Sequence, residues 1–167
     1  MNISFKKITE SDLTRIFNWL QQPHVAPWWP ESDWGKFLEK YHTKIDSDYV
    51  HTYIIAIDER PIGMIQYYWF AKAPKGDESY GRFNDPQMVG LDIVIGELDY
   101  IGKGYGSKAL RAFIDQILKQ NSFIKKIFIN PDPANKAAVR AYEKAGFKII
   151  EEVETEHGKE LEMMMDL

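Results

Sequence analysis

The sequence predicts a single α/β domain over residues 1–167, with a mixed central sheet of about six or seven strands flanked by four helices. One supporting observation is that short apolar runs of strand length alternate with segments whose apolar residues recur at helical spacing. Another is the stretch 89–107, where an apolar strand leads through a glycine-rich turn into an amphipathic helix. The pattern runs on without a repeat, a linker or a low-complexity stretch, and 167 residues suffice for one sizeable core.

The N-terminal half is predicted to open with a strand and two helices. Thr9 and Asp12 have the spacing of an N-cap and an acidic residue at N3, so the first helix should begin there. A proline-rich aromatic segment at 24–30 separates it from the second helix, in which Trp34 is expected to be buried. The predicted bounds are a strand at 3–8, a helix from Thr9 that Pro23 ends, a helix from 32 to about 45, and hairpin strands at 53–57 and 62–70.

The C-terminal half is predicted to alternate strands and helices before two closing strands. Asp132 and Pro133 are typical of an N-cap followed by the first helical residue, and Gly146 suits the position after a helix. The segment 72–86 is rich in turn-forming residues and is predicted to be a surface loop. The predicted bounds are a strand at 91–95, a helix at 108–119, a strand at 124–129, a helix from Asp132 to Ala145, and strands at 147–153 and 160–165.

Composition and charge exclude several classes of protein. The formal net charge of −4 argues against a nucleic-acid-binding surface and is compatible with a cationic substrate. No apolar run reaches membrane-spanning length, and the N-terminus lacks the apolar core of a secretory signal, so the sequence predicts a cytoplasmic protein. Without cysteine, disulfide and thiol chemistry are excluded, and we predict no metal cofactor.

The glycine-rich turn at Gly102, Gly104 and Gly106 has the character of a phosphate-binding loop. Glycine lets the backbone approach a ligand closely, and the first N–H groups of the following helix are open to an anion. A Walker loop does not fit, because Lys103 is followed by glycine, and the spacing also differs from a dinucleotide-binding fingerprint. A tight turn without a ligand is the structural alternative.

The order of elements and two motifs together resemble the GNAT N-acetyltransferase superfamily. One motif is Ile-Gly-Lys-Gly-Tyr-Gly at 101–106, which departs from the family pattern only at Ile101. The other is the stretch 130–147, which is similar to the family's Asn-x-x-Ala-x-x-x-Tyr-x-x-x-Gly-Phe pattern. The resemblance implies a GNAT fold and acetyl-CoA as cosubstrate. The residues that it implies for cofactor binding are Ile93, Val94, Ile95, Gly102, Lys103, Gly104, Tyr105, Gly106, Ser107 and Asn135.

Within that superfamily, the chain most resembles the aminoglycoside 6′-N-acetyltransferases. The matching features are Asp92 in Gly-Leu-Asp-Ile, ten residues before Gly102-Lys-Gly, and the pair Trp28 and Trp29. By this match Asp92 lies beside the amine that is acetylated. A second acid commonly precedes the family's Pro-x-Pro, whereas this chain has Asn130 there, with Asp132 two residues further on.

Because the chain has no cysteine to form a covalent intermediate, we expect direct transfer in a ternary complex, with Asp92 and Tyr142 as the catalytic residues. Asp92 would hold the ammonium group and remove its proton, directly or through water, and Tyr142 would protonate the leaving thiolate. Asn135 and Tyr142 lie seven residues apart on one helix face, which suits an extended pantetheine arm. The structural alternative pairs Asp92 with Arg82 or Lys103 and leaves Tyr142 as core packing.

The acceptor is expected to be a small cationic amine held by aromatic and acidic side chains. The predicted substrate-binding residues are Trp28, Trp29, Asp77, Glu78, Asp85, Asn130 and Asp132. The structural alternative is that the tryptophans pack the linker and the loop acids are solvated.

Other functions remain open at this point. The segment 19–29 also resembles the hydroxylysine acyltransferases of siderophore assembly. A protein N-terminus is another possible acceptor, and an acyl-CoA-binding regulatory module is the non-enzymatic alternative. We expect a monomer or a homodimer.

Overall fold

The computed structural model describes residues 1–73, 83–156 and 158–167, which form one seven-stranded mixed sheet and four α-helices. This confirms the predicted fold class. The strand order is β1-β2-β3-β4-β5-β7-β6, and β4 with β5 is the parallel pair within it. The elements are β1 Ile3–Lys7, α1 Leu13–Leu20, α2 Trp34–His42, β2 Val50–Ile57, β3 Arg60–Trp69, β4 Met88–Ile95, α3 Tyr105–Gln116, β5 Lys126–Ile129, α4 Lys136–Ala145, β6 Lys148–Thr155 and β7 Gly158–Asp166.

The parallel strands β4 and β5 separate at their carboxyl ends. Their ladder runs from Met88–Lys126 to Gly90–Phe128 and stops there, although β4 continues to Ile95. Backbone groups of β4 beyond Gly90 therefore border a gap in the sheet. Ligands of open α/β sheets bind outside the carboxyl ends of the strands, so this gap is the expected place for a site.

The two faces of the sheet carry separate apolar cores, and β4 contributes to both. Leu91 is fully buried in the core that α3 and α4 cover, with Ile93 and Ile95 packed against it. Val94 belongs to the core under α1 and α2. This is the predicted alternation along the strand, and it leaves Asp92 on the same face as Val94.

Several local signals define the ends of helices as predicted. Thr9 and Asp12 form a reciprocal capping box, in which Asp12 Oδ2 accepts from Thr9 N at 2.9 Å, and a 3₁₀ turn there leads into α1. Gly146 ends α4 with φ of 112°, a left-handed conformation that disfavours other residues.

The predicted start of α4 is wrong by several residues. Asn135 is the N-cap, since its side chain accepts from Ala138 N at 3.2 Å. Asp132 instead accepts from Ala134 N at 2.7 Å, two residues along the chain. Asp132 thus closes a turn of its own ahead of the helix, a local arrangement that competes with capping.

The predicted burial of Trp34 is also wrong. Asp33 caps α2 through Lys36 N, which makes Trp34 the first helical residue. Trp34 lies at the end of the helix, stacks on Phe37 with ring centroids 5.5 Å apart, and keeps 40% of its surface exposed. The aromatic helix face therefore ends in solvent at this position.

Candidate active site

A cleft of about 1010 Å³ occupies the gap between β4 and β5. The end of β4, the turn before α3, one face of α4 and the 24–30 segment form its walls. It brings together fifteen of the predicted site residues, namely Trp28, Trp29, Asp92, Ile93, Val94, Ile95, Gly102, Gly104, Tyr105, Gly106, Ser107, Asn130, Asp132, Asn135 and Tyr142.

 

Two other predicted residues lie elsewhere. Lys103 Nζ donates to Asp99 O at 2.7 Å, and Asp85 lies 3.6 Å from Lys126 Nζ at the amino end of β4. Asp77 and Glu78 lie outside the described residues.

The glycine turn ahead of α3 has the geometry of an anion site. Gly102 and Gly104 adopt φ of 72° and 78°, and apart from each glycine and its chain neighbours no described heavy atom lies within 4 Å of the position that a Cβ would take. Gly104 is the N-cap of α3, so the N–H groups of the first helical turn border the cleft. Ser107 Oγ donates to Gly104 O at 3.1 Å and holds the turn in this conformation.

Helix α4 and its N-cap contribute Tyr142 and Asn135 to the cleft. Tyr142 is 7% exposed and packs edge-on against Phe147, so it serves the core as well as the cleft. Burial raises the pKa of Tyr142 above its ordinary value, and the charge of Asp92 raises it further. The phenol is therefore neutral at physiological pH and available as a hydrogen-bond donor.

A glutamine on the neighbouring strand donates a hydrogen bond to Asp92. Gln66 lies opposite Asp92 in the β3–β4 register, and Gln66 Nε2 donates to Asp92 Oδ2 at 2.8 Å. Burial raises the pKa of Asp92, while Gln66, Lys44 and Lys40 act in the opposite direction. The carboxylate thus has a higher proton affinity than an exposed one, as a general base needs. Lys103, one of the two partners proposed from sequence, is engaged elsewhere, and Arg82 lies outside the described residues.

Two polar residues behind Asp92 were missed by the sequence analysis. Gln66 is 6% exposed within the apolar strand β3, and Lys44 Nζ donates to Gln66 Oε1 at 3.0 Å. Burial, followed by the charge of Lys40, lowers the pKa of Lys44 to about 8. The available signal was a glutamine in the middle of an apolar run, because a buried polar side chain requires partners.

The acidic side of the cleft contains a carboxylate that the motif did not indicate. Asn130 Nδ2 donates to Glu160 Oε2 at 2.7 Å, and both residues line the cleft together with Asp132. Glu160 lies on β7, 30 residues further along the chain. A carboxylate therefore lies beside Asn130, although residue 130 itself carries no charge.

The 24–30 segment forms the aromatic side of the cleft. His24 Nε2 lies 3.0 Å from Ile95 O and attaches this segment to the end of β4. Trp28 is 45% exposed and lines the cleft, whereas Trp29 also packs against the core under α1 and α2. An exposed indole face beside carboxylates is suited to a cation.

A family model described as an acetyltransferase (GNAT) domain matches residues 9–155. The chain belongs to the GNAT acetyltransferase family. It is 31% identical over 152 residues to aminoglycoside N(6′)-acetyltransferase type 1 of Klebsiella pneumoniae, covering 88% of this chain and 74% of the relative. The solved structure of aminoglycoside acetyltransferase AAC(6′)-Ib with coenzyme A and kanamycin is 30% identical, with a TM-score of 0.88 and coverage of 99% and 95%.

Another relative is named for a different acceptor. The N(6)-hydroxylysine O-acetyltransferase of Escherichia coli is 26% identical over 159 residues, which are 93% of this chain and 49% of the relative. The chain thus spans about half of that protein's length, and the likeness leaves two acceptor classes to be weighed.

The cleft of this GNAT chain fits acetyl-CoA, the acyl donor of the family. Backbone N–H groups at Gly104 and the start of α3 suit its pyrophosphate, and the open edge of β4 at 93–95 suits the amides of its pantetheine arm. In the described part of the chain, no three His, Asp or Glu side chains gather as a metal site. None of the described helices is long and apolar enough to cross a bilayer.

Proposed function

We propose that this chain transfers the acetyl group of acetyl-CoA to a primary amine of a small cationic acceptor, specifically the 6′-amine of an aminoglycoside. The observation that carries the proposal is Asp92, a carboxylate of raised pKa that lines the cleft on the same strand as the proposed donor-binding edge. The likeness to the Klebsiella enzyme and to AAC(6′)-Ib supports this acceptor class.

Asp92 performs the acid–base part of the reaction at the acceptor. Its carboxylate holds the ammonium group and takes one proton from it, directly or through a water molecule. The free amine nitrogen then forms a bond to the thioester carbonyl carbon, the carbon–sulfur bond breaks, and the nitrogen releases its second proton to solvent. Acetyl-CoA supplies the activated acyl group, and no covalent intermediate on the protein is needed.

Backbone and phenol groups act at the donor. Backbone N–H groups of β4 near Ile93–Ile95 stabilise the negative charge that develops on the carbonyl oxygen. Tyr142 donates its phenol proton to the departing sulfur. Because burial and Asp92 both favour the protonated phenol, Tyr142 holds this proton ready across the working pH range.

Acceptor recognition is assigned to the aromatic and acidic walls of the cleft. Trp28 offers an indole face, and Glu160, fixed by Asn130, offers a carboxylate for a second ammonium group. Asp132 adds a solvent-exposed charge. Several separated carboxylates suit a polyamine better than an acceptor with one amine.

Acylation of a hydroxylysine-type siderophore precursor is the second candidate. The hydroxylysine acetyltransferase relative supports it. Such an acceptor carries fewer cationic groups, so Glu160 and Asp132 would contribute less to its binding. The two candidates therefore differ in how strongly turnover depends on these carboxylates.

The test is release of the coenzyme A thiol with kanamycin, tobramycin, N(6)-hydroxylysine and a Met-initiated peptide. Wild type is compared with Asp92→Asn, and Asp115→Asn on the exposed side of α3 serves as the control. Turnover with the aminoglycosides that Asp92→Asn abolishes and Asp115→Asn retains supports the proposal. Turnover with hydroxylysine alone assigns the second candidate, and acetyl-CoA binding without turnover on any acceptor contradicts both and favours a binding module.

A further inference from the structure

A row of buried polar side chains crosses the sheet behind Asp92. Thr52 on β2, Gln66 on β3 and Asp92 on β4 are direct neighbours in the strand registers. Gln66 Oε1 accepts from Lys44 Nζ at 3.0 Å and from Thr52 Oγ1 at 3.3 Å, while Gln66 Nε2 donates to Asp92 Oδ2 at 2.8 Å. Gln66 thus connects Lys44 to Asp92.

The donors on Gln66 determine which end of its amide faces Asp92. A glutamine amide has one accepting oxygen and one donating nitrogen. With Lys44 and Thr52 both donating to the oxygen, the nitrogen is directed at the carboxylate. The reversed amide would direct its oxygen at Asp92 and its N–H groups at the Lys44 ammonium, so both contacts would be repulsive.

A lysine at this position is costly for stability. Lys44 is partly buried beyond the end of α2, and its Nζ lies 4.1 Å from the centre of the Tyr41 ring. Burial and Lys40 oppose its charge, whereas Asp92 and Glu31 favour it. An apolar side chain would fill the space without this desolvation penalty, which indicates that the charge serves the site.

We infer that Lys44 is a positioning residue: through Gln66 it orients the Asp92 carboxylate and keeps it ionised for the acceptor. This inference rests on the proposed role of Asp92. Lys44 itself is outside the cleft lining within the described residues, so it acts through Gln66 and not on the acceptor. The charged or titratable groups acting on Asp92 are Lys44 and Lys40, and those that Asp92 affects in turn include Tyr41 and Tyr142.

Removal of Lys44 should make Asp92 easier to protonate. In Lys44→Met, Gln66 keeps only the Thr52 donor, and Asp92 loses a nearby positive charge. We expect the acidic limb of the kcat/KM–pH profile for kanamycin to move to higher pH. Activity should fall about tenfold for each pH unit of this shift on the acidic limb and recover as pH rises. Lys44→Arg, which keeps the charge and donors, should restore much of the wild-type profile.

Lys40→Met is the matched control. Lys40 lies on α2, ahead of Lys44, and also favours ionised Asp92, but it pairs with Glu31 at 3.2 Å, whereas Lys44 donates to Gln66. A much smaller shift in Lys40→Met than in Lys44→Met supports positioning through Gln66. Equal shifts in the two variants would overturn positioning through Gln66 and indicate a general charge effect. A wild-type pH profile in folded Lys44→Met would also overturn it.

A second readout separates this inference from the proposed function. The Asp92 carboxyl is titrated by NMR in wild type and Lys44→Met, with Asp92→Asn used to assign its signal. A raised Asp92 pKa in the variant supports the inference even if no amine is acetylated, and an unchanged pKa overturns it. If Lys44→Met does not fold, the same titration in Lys44→Gln, which keeps a donor without the charge, decides the result in the same way.

Discussion

Asn130 at the end of β5 donates a hydrogen bond to Glu160 on β7, with 2.7 Å between Asn130 Nδ2 and Glu160 Oε2. The antiparallel pairing of β5 with β7 places the segments that carry them side by side. The amide of Asn130 holds the Glu160 carboxylate at the cleft. Glu160 on β7 therefore supplies the carboxylate that residue 130 lacks.

Glu160→Gln should weaken binding of polycationic acceptors. It removes one charge while preserving size, so we expect KM for kanamycin to rise about tenfold with little change in kcat, since a charged hydrogen bond contributes about 1.5–3 kcal/mol. Steady-state kinetics would measure this. Glu152→Gln on β6, where Glu152 pairs with Lys159 at 3.2 Å, is the control. An unchanged KM in Glu160→Gln would rule out a contact between Glu160 and the acceptor.

Gly104→Ala should weaken binding of acetyl-CoA. The added Cβ has space, but the left-handed φ of 78° costs a non-glycine residue about 1–2 kcal/mol. If the turn relaxes to avoid this strain, the first N–H groups of α3 move, and Kd should rise about tenfold. Calorimetric titration would measure Kd, with Gly35→Ala in α2 as the control. The same Kd in Gly104→Ala and wild type would contradict the anion site.

Tyr142→Phe should lower kcat and preserve the fold. Loss of a positioned proton donor typically reduces the rate by roughly 10²–10⁴-fold, while the ring that packs on Phe147 remains. Because burial raises the pKa of Tyr142, the neutral phenol contributes fully to folding stability below the ordinary phenol pKa. This contribution is lost as pH rises through the higher pKa of the folded protein. At pH values below 10, ionisation of Tyr142 should therefore cause no decrease in wild-type kcat. Full activity in Tyr142→Phe would exclude it as the donor.

Lys44→Met should stabilise the protein at neutral pH. A lysine whose folded pKa is lowered to about 8 opposes folding while charged, so its penalty is complete below that pH and disappears as pH rises towards the ordinary lysine pKa of 10.5. Thermal unfolding should show a higher Tm for the variant at pH 7 and a smaller difference at pH 10. A lower Tm at pH 7 would mean that contacts to Gln66 and Tyr41 outweigh the desolvation of Lys44.

Features that depend only on neighbouring residues could be predicted from the sequence. The capping box of Thr9 and Asp12, the left-handed Gly146 and the glycine turn before α3 were predicted because each is a backbone requirement met within a few positions. The alternation of β4 was predictable for the same reason. Local signals that compete are less decisive, as Asp132 shows by closing a turn where an N-cap was expected.

Contacts between side chains that are far apart in the sequence could be found only from the tertiary structure. Gln66 and Asp92 are 26 residues apart and Asn130 and Glu160 are 30 apart, and both contacts follow from strand pairing across the sheet. A pattern of residue types carries no information about such pairing until the strand order and register are known. The residues that match a motif were therefore found from sequence, whereas Gln66, Lys44 and Glu160, which surround them, were found from the fold.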